Sequence, residues 1–353
     1  MPISSALGSS ALLPAGLGHR NMIINGAMQV DQRNSGASYT MVNATCGLDR
    51  WAGYSSASSK YSVQRLTTTP PVGFGYYQRF TSLAATADTA DAYYNFYQVI
   101  EGFNATQLSW GTANAKSVSL SFWVRSSLTG TFGGTLRNAG SGGYYSYAFT
   151  YTVNSANTWE YKTISITGST AGGWGSTNDT GINLFFDLGC HSSQTQAAGS
   201  WQNANKLAAS GCVRLIGTNA ATLDITGVQL EQNYQPTPFE QRPIGVELGL
   251  CQRYYWKWVS ANSGDLIITV MQPASSSFHL VVPLSVTMRT RPSSATLSGG
   301  WTVLNTSAAP TIYDRGTNWM VLQSSVNPGI GNTHQSGFYT QGGSSTLVQD
   351  AEL

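Results

Sequence analysis

Between Val118 and Val124 the chain reads Val-Ser-Leu-Ser-Phe-Trp-Val, apolar and small polar positions alternating with the period of a strand that buries one face. The same signal recurs at short intervals. Met22–Val30, Trp51–Tyr54, Lys60–Leu66, Tyr76–Leu83 and the aromatic run Tyr93–Ile100 precede it. Thr131–Arg137, Tyr144–Val153, Trp159–Ile166, Ile182–Leu188 and Leu223–Leu230 follow. Glycine, asparagine and serine clusters separate these runs, as turns require. Helical periodicity is nearly absent, apart from a turn at Gly102–Leu108 and a short helix at Val246–Arg253. Ten or so strands with turns between them predict an all-β chain whose first part is a two-sheet sandwich closed as a jelly roll.

Beyond Gly249 the strands become shorter: Tyr254–Val259, Asp265–Gln272, Ser277–Pro283, Trp301–Asn305, Thr311–Asp314, Met320–Ser324, Phe338–Thr340 and Thr346–Asp350. Between the two sets, Tyr234-Gln-Pro-Thr-Pro238 and Pro243 remove backbone donors and force an extended exit from the sheet. The expected organisation is an extended arm over residues 1–20, a jelly roll over 21–245 and a smaller C-terminal β domain over 246–353. The last is small for a stable lone domain, so burial shared across an oligomer is expected. Neither heptads nor internal repeats are present, which excludes a long coiled-coil shaft.

Composition narrows the function. Only 10% of residues are charged, against roughly 25% in ordinary soluble proteins. Thirty-eight Gly, 18 Tyr and 10 Trp, with abundant Ser, Thr and Asn, stand in their place. A polar, uncharged surface suits hydroxyl-rich partners. The net charge of +2 makes no case for nucleic acid. Without an apolar run of about 18 residues, no membrane-crossing segment is predicted. Met1-Pro-Ile-Ser-Ser lacks the basic start of a signal peptide, which predicts synthesis in a cytoplasm with Cys46, Cys190, Cys212 and Cys251 as free thiols.

Several strings carry a family resemblance. Gly227-Val-Gln-Leu-Glu231, Thr237-Pro-Phe-Glu-Gln-Arg-Pro243 and Glu247-Leu-Gly-Leu-Cys-Gln-Arg-Tyr-Tyr255 resemble a junction found in tail-fibre and other adhesion-type structural proteins of tailed bacteriophages. Asn21-Met-Ile-Ile-Asn-Gly26, Asp31-Gln-Arg33, Leu48-Asp-Arg-Trp51 and the terminal Asp350-Ala-Glu-Leu353 agree with it. Ser121–Arg125, Trp159–Lys162 and Gly227–Glu231 further resemble strands of the galactose-binding-like jelly rolls of carbohydrate-binding modules. The resemblance implies a virion protein made in the host cytoplasm, a trimer, and adhesion to host-surface polysaccharide. In that setting Leu7, Leu12, Leu13 and Leu17 would dock the arm on other tail or capsid proteins. A structural calcium is compatible with such jelly rolls, without assignable ligands.

Candidate chemistry lies in aromatic turns, because sugar rings stack their C–H faces on Trp and Tyr while nearby amides read the hydroxyls. Trp110 lies near Asn104 and Asn114, Tyr144 and Tyr145 beside Asn138, Trp174 near Asn178 and Asp179, and Trp201 near Asn203 and Asn205. The alternative for each is packing over an open end of the sandwich or in a subunit interface. Trp51, Phe122, Trp123 and Trp159 lie in strands and read as core. Tyr313, Trp319, His334 and Phe338 form a second candidate surface, with Val326–Gln341 as an outward tip.

Catalysis has little support. A glycosidase needs two converging carboxylates, and Asp88 with Asp91, or Asp179 with Asp187, are the available near pairs. Asp49-Arg50 and Glu240/Arg242 read as structural ion pairs. His19, His191, His279 and His334 lack ligand spacing, so no metal site is expected. The competing functions are a capsid-decoration or connector protein without glycan binding, and a glycan-degrading tailspike.

Overall fold

The alternation that begins at Val118 is realised as the strand Val118–Ser126, with Leu120, Phe122 and Val124 turned fully inward. The computed structural model describes residues 20–140, 142–260, 266–271, 277–304, 309–325 and 335–352. In them the chain is all-β, and its first part is a jelly-roll sandwich. One sheet has six strands, in spatial order Tyr39–Thr40, Tyr61–Leu66, Tyr77–Ser82, Thr222–Glu231, Val118–Ser126 and Glu160–Ile166. The other has seven: Trp201–Gln202, Ser146–Val153, Gly130–Arg137, Thr180–Asp187, Tyr94–Glu101, Trp51–Ser55 and Cys46–Leu48. Every pairing in both is antiparallel. From Tyr61 to Glu231 the chain passes repeatedly from one sheet to the other, so neither sheet could form alone.

Aromatic rings knit the two inner faces together. Phe80 stacks on Phe96 at 4.0 Å, Phe96 on Phe186 at 4.8 Å, and Phe122 meets Phe186 edge-on at 5.2 Å. Burying each such ring stabilises by about 2–3 kcal/mol. Trp51 and Phe122 are core as expected. Trp123 and Trp159 are not: they are half-buried on the outer face of the six-stranded sheet. Alternation forces the first result, since Phe122 points in and its neighbour must point out.

Met22–Val30, expected as a strand, is a buried turn-rich segment instead. Side chains replace the ladder there. The Asn21 amide donates to Val228 O and accepts from Leu230 N, both at 3.0 Å, and Met22 N donates to Leu230 O at 2.8 Å. A Cβ on Gly26 would sit 2.1 Å from Val228 O, so only glycine permits this approach. Asn25, in the left-handed region at φ 58, donates to Val30 O and Asp49 O and accepts from Val30 N. Gln98 holds Ile24 by both its N–H and its carbonyl, each at 2.8 Å.

The proline strap closes over this segment. Glu240 accepts from Asn21 N at 2.7 Å, and Arg242 donates to Ile23 O at 3.0 Å and also to Asn21 O. Arg242 pairs with Glu247 at 3.3 Å and Glu240 at 3.6 Å. The helix Ile244–Gln252 then packs Cys251 and Leu248 against Ile24 and Val30. Strings far apart in sequence thus form one junction.

Beyond it, the strand Gln335–Asp350 runs for 16 residues and pairs with Tyr255–Val259, Leu266–Met271 and Ser294–Leu304. It merges the two strands expected at Phe338–Thr340 and Thr346–Asp350. Ser277–Pro283, Trp319–Ser325 and Thr311–Arg315 make a second, three-stranded sheet. Trp256, Leu280, Val282, Met320, Leu322 and Leu347 fill a small core here. Asp350 and Glu352 return to the jelly roll, where they pair with Arg33 at 3.0 and 3.1 Å, and Glu352 also pairs with Arg50. Asp49, expected to pair with Arg50, instead accepts from Gln32 at 2.7 and 2.6 Å. Leu7, Leu12, Leu13 and Leu17 of the arm lie outside the described residues. No described helix is long and apolar enough to cross a membrane.

Candidate functional site

On the outer face of the seven-stranded sheet the polar half of the alternation is largely aromatic. Phe96 and Phe186 point into the sandwich, so Tyr97 and Phe185, paired across neighbouring strands, point out. Their rings stack at 5.1 Å and 18°. Tyr54 meets Tyr97 edge-on at 5.8 Å and stacks on Tyr93 at 4.7 Å. At the other end the Arg137 guanidinium lies 4.9 Å from the Phe185 ring centre and 5.0 Å from that of Tyr144. The result is a ladder, Tyr93–Tyr54–Tyr97–Phe185–Arg137–Tyr144, running across four strands and two adjoining loops.

Tyr54, Tyr93 and Tyr97 are half-buried, and Tyr144 is 37% exposed, so each keeps a surface open. Phe185 itself is fully buried, packed in a small cluster with Cys190, Leu207 and Ala208 that fixes the middle of the ladder. Burial raises the Tyr97 hydroxyl to about 12 and also raises that of Tyr93, so both stay protonated as donors at neutral pH. Asn205 accepts from Arg137, and Asn203 is exposed beside Gly143. A row of apolar rings edged by amides and hydroxyls is what a sugar chain can stack on and bond to.

Of the residues expected from sequence, Tyr144 belongs to this ladder. Tyr145 does not; it packs against Gly172, with its N–H on Asn138 Oδ1 at 3.0 Å. Trp110, Trp174 and Trp201 come together as a separate cluster at one end of the sandwich, with ring centres 4.7, 5.2 and 5.4 Å apart and all three pairs edge-on. Their indole N–H groups are spent on backbone: Trp110 on Lys116 O, Trp174 on Ala171 O and Trp201 on Thr167 O. Trp110 is only 7% exposed and belongs to the main core. Trp110 and Trp174 also line a cleft of about 170 Å³ with Thr106, Ser109 and Ser176. Asn138, fully buried, donates to Gly143 O and Gly173 O and so ties the Tyr144 loop to the Trp174 loop.

Two of the C-terminal candidates are described. Tyr313, 61% exposed, lies over His279 at 4.2 Å, while Trp319 is half-buried against Gly316. The side chain of Phe338, and His334 as a whole, lie outside the described residues.

Tyr54, Tyr93, Tyr97 and Arg137 were not legible as site residues, because their meeting depends on strand register. One signal was available: Phe96-Tyr97 and Phe185-Phe186 place aromatic residues on both faces of one strand, which a sandwich core needs on only one.

The carboxylates have other work. Asp187 is buried, accepts from Gly189 N at 2.8 Å and Cys190 N at 2.9 Å, and is pushed up to about 6 by desolvation. Asp88 pairs with Arg214 at 3.5 Å, and Asp179 accepts from Thr177 N at 3.2 Å. All four cysteines are free, with their thiols raised by burial and therefore protonated. Among the described residues no group of three or more His, Cys, Asp or Glu could hold a metal ion.

No family model matches the chain, and no curated protein matches it either. Among solved structures it is similar to the enzymatically active domain of tailspike protein 4 of bacteriophage CBA120, at 12% identity and TM-score 0.36, over 61% of this chain and 22% of that one. The chain thus spans about a fifth of that domain. It is also similar to a family 4 carbohydrate-binding module, at 16% identity and TM-score 0.32, over 59% of this chain and 98% of the module. A family 61 module in complex with β-1,4-galactotriose matches at 11% identity and TM-score 0.31, over 61% of this chain and 100% of the module.

Proposed function

We propose that the chain is a glycan-binding adhesin that holds polysaccharide along the ladder from Tyr93 to Tyr144. The observation that carries this reading is the stripe itself: rings 4.7 to 5.8 Å apart, with Tyr93, Tyr54 and Tyr97 open at one end, Tyr144 open at the other beside Asn203 and Asn205, and the buried Phe185 linking the two. Binding without cleavage fits the setting. The carboxyl groups pushed up to about 6, Asp49 and Asp187, are buried and tied into turns, so neither serves as a general acid. A glycan array on the purified protein tests the reading, with Tyr54→Ala and Tyr97→Ala beside it. Binding that falls about 10- to 100-fold in each variant supports it, in line with roughly 1–3 kcal/mol per stacked ring. A blank array, or binding untouched by both changes, overturns it.

The junction strings support a narrower form, in which the adhesin belongs to a bacteriophage tail fibre, assembles as a trimer and is anchored by residues 1–20. Immunogold labelling of particles distinguishes a tail location from a capsid decoration. Sedimentation gives the oligomer number, and a chain lacking residues 1–20 should remain folded yet fail to join particles.

A further inference from the structure

Three arginines are buried among the described residues: Arg50, Arg137 and Arg242. Arg50 pairs with Glu352, and Arg242 with Glu247 at 3.3 Å. Arg137 has no carboxylate partner among the described residues. Its Nη1 donates to the amide oxygen of Asn205, the Tyr54 hydroxyl lies beside the guanidinium, and Nε has no partner among the described residues. The Phe185 and Tyr144 ring centres lie 4.9 and 5.0 Å from the guanidinium carbon. Burying a charge without a counter-ion costs several kcal/mol, which cation–π contacts offset only in part. For Arg50 and Arg242 the fold supplies the anion; for Arg137 no described residue does.

Arg137 is 9% exposed, and the residues that border it toward solvent are the exposed Tyr144 and Asn205. Resting on the ladder as a glycan platform, the geometry points to a sugar that brings the carboxylate itself. We infer that the ladder takes an acidic glycan, with a uronic- or sialic-type carboxylate seated on the Arg137 guanidinium and the adjoining rings stacked on Tyr97 and Tyr54. Arginine suits this task because its planar fork matches a carboxylate with two parallel hydrogen bonds. A carboxylate arriving there also ends the isolation of the buried cation, so a neutral analogue forfeits more than one hydrogen bond.

The test is a panel of uronic- and sialic-acid oligosaccharides, each beside its carboxyl-reduced neutral counterpart, titrated against the full chain and against Arg137→Gln and Arg137→Lys. Melting curves of both variants first establish that they fold. The expected result is at least one acidic member bound about 10-fold or more tighter than its reduced form. Arg137→Gln should abolish that preference while keeping residual binding to the neutral sugar, and Arg137→Lys should keep part of it. Equal affinity for acid and reduced forms overturns the inference and leaves the platform standing. Sulfated oligosaccharides bound as well as carboxylated ones would replace carboxylate recognition with general anion attraction. Failure of every sugar, with the protein folded, removes the platform and this inference together.

Discussion

The Arg50 guanidinium lies flat on the Tyr254 ring, 3.5 Å from its centre, with the Glu352 carboxylate at its tip. Tyr254 in turn donates its hydroxyl to Glu101 at 2.7 Å, and Glu101 pairs with Arg253. Four charges and one ring therefore fasten the C-terminal sheets to the end of the strand Tyr94–Glu101. Glu352 also meets Arg33, so it neutralises two arginines at once. Glu352→Gln leaves the buried Arg50 without its carboxylate and Arg33 with Asp350 alone, and the expected cost is about 3 kcal/mol. Urea unfolding measures it. A loss under about 0.5 kcal/mol would mean that Asp350 alone suffices for the pair.

Gly26 gives a second, purely steric expectation. An added methyl would meet Val228 O at 2.1 Å, against backbone of the central strand that has nowhere to move. Gly26→Ala should therefore push residues 22–26 off the strand, breaking the contacts of Met22 N with Leu230 O and of Val228 N with Gly26 O. Overpacking of this kind costs about 3 kcal/mol. Hydrogen exchange at Val228 reads it locally, and faster exchange there than at Phe122 is the expected pattern. Uniform exchange across both strands would show a global effect instead.

These two sites also mark where sequence reasoning reached and where it stopped. A strand whose inward set is continuous, such as Val118–Ser126, was legible because one buried face imposes period two. Met22–Val30 looked like a strand for the same reason, its apolar residues being buried. Yet its partners are the side chains of Asn21, Asn25 and Gln98, which no periodicity reveals. The strand Gln335–Asp350 was split in two because its middle, Gly342-Gly-Ser-Ser345, has the composition of a turn. Tyr144 was legible as a site residue because it stands in a turn. Tyr54, Tyr97 and Arg137 were not, since each sits inside a strand and becomes a site only when register sets it beside the others.

Burial of two carboxyl groups predicts an inverted pH response. Desolvation pushes Asp187 and Asp49 up to about 6, whereas each titrates near 3.9 in an unfolded chain. Between those values the folded protein holds protons that the unfolded chain has released, so stability falls as pH rises from about 4 to 6. The penalty is complete above that window, at roughly 3 kcal/mol per group at most. Urea midpoints should therefore be higher at pH 5 than at pH 7. Asp187→Asn keeps an oxygen for Gly189 N and Cys190 N but cannot ionise, and should shrink the difference. An unchanged difference would assign the response to Asp49 or to other groups.

Two aromatic clusters with similar composition should answer mutation in opposite ways. Trp110 is 7% exposed, donates its N–H to Lys116 O at 2.7 Å, and meets Trp174 and Trp201 edge-on. Trp110→Ala removes a wedge from the end of the sandwich and should cost about 3–5 kcal/mol of stability. Tyr97 is half-buried on the outer face, with one side held by Phe185 and Tyr54. Tyr97→Ala should cost less stability and most of the glycan affinity. Melting temperature and sugar affinity, measured on both variants, separate the roles. If Trp110→Ala abolished binding while the fold kept its stability, the cleft of about 170 Å³ beside Trp174, with Ser109 and Ser176 on its walls, would take over as the sugar site.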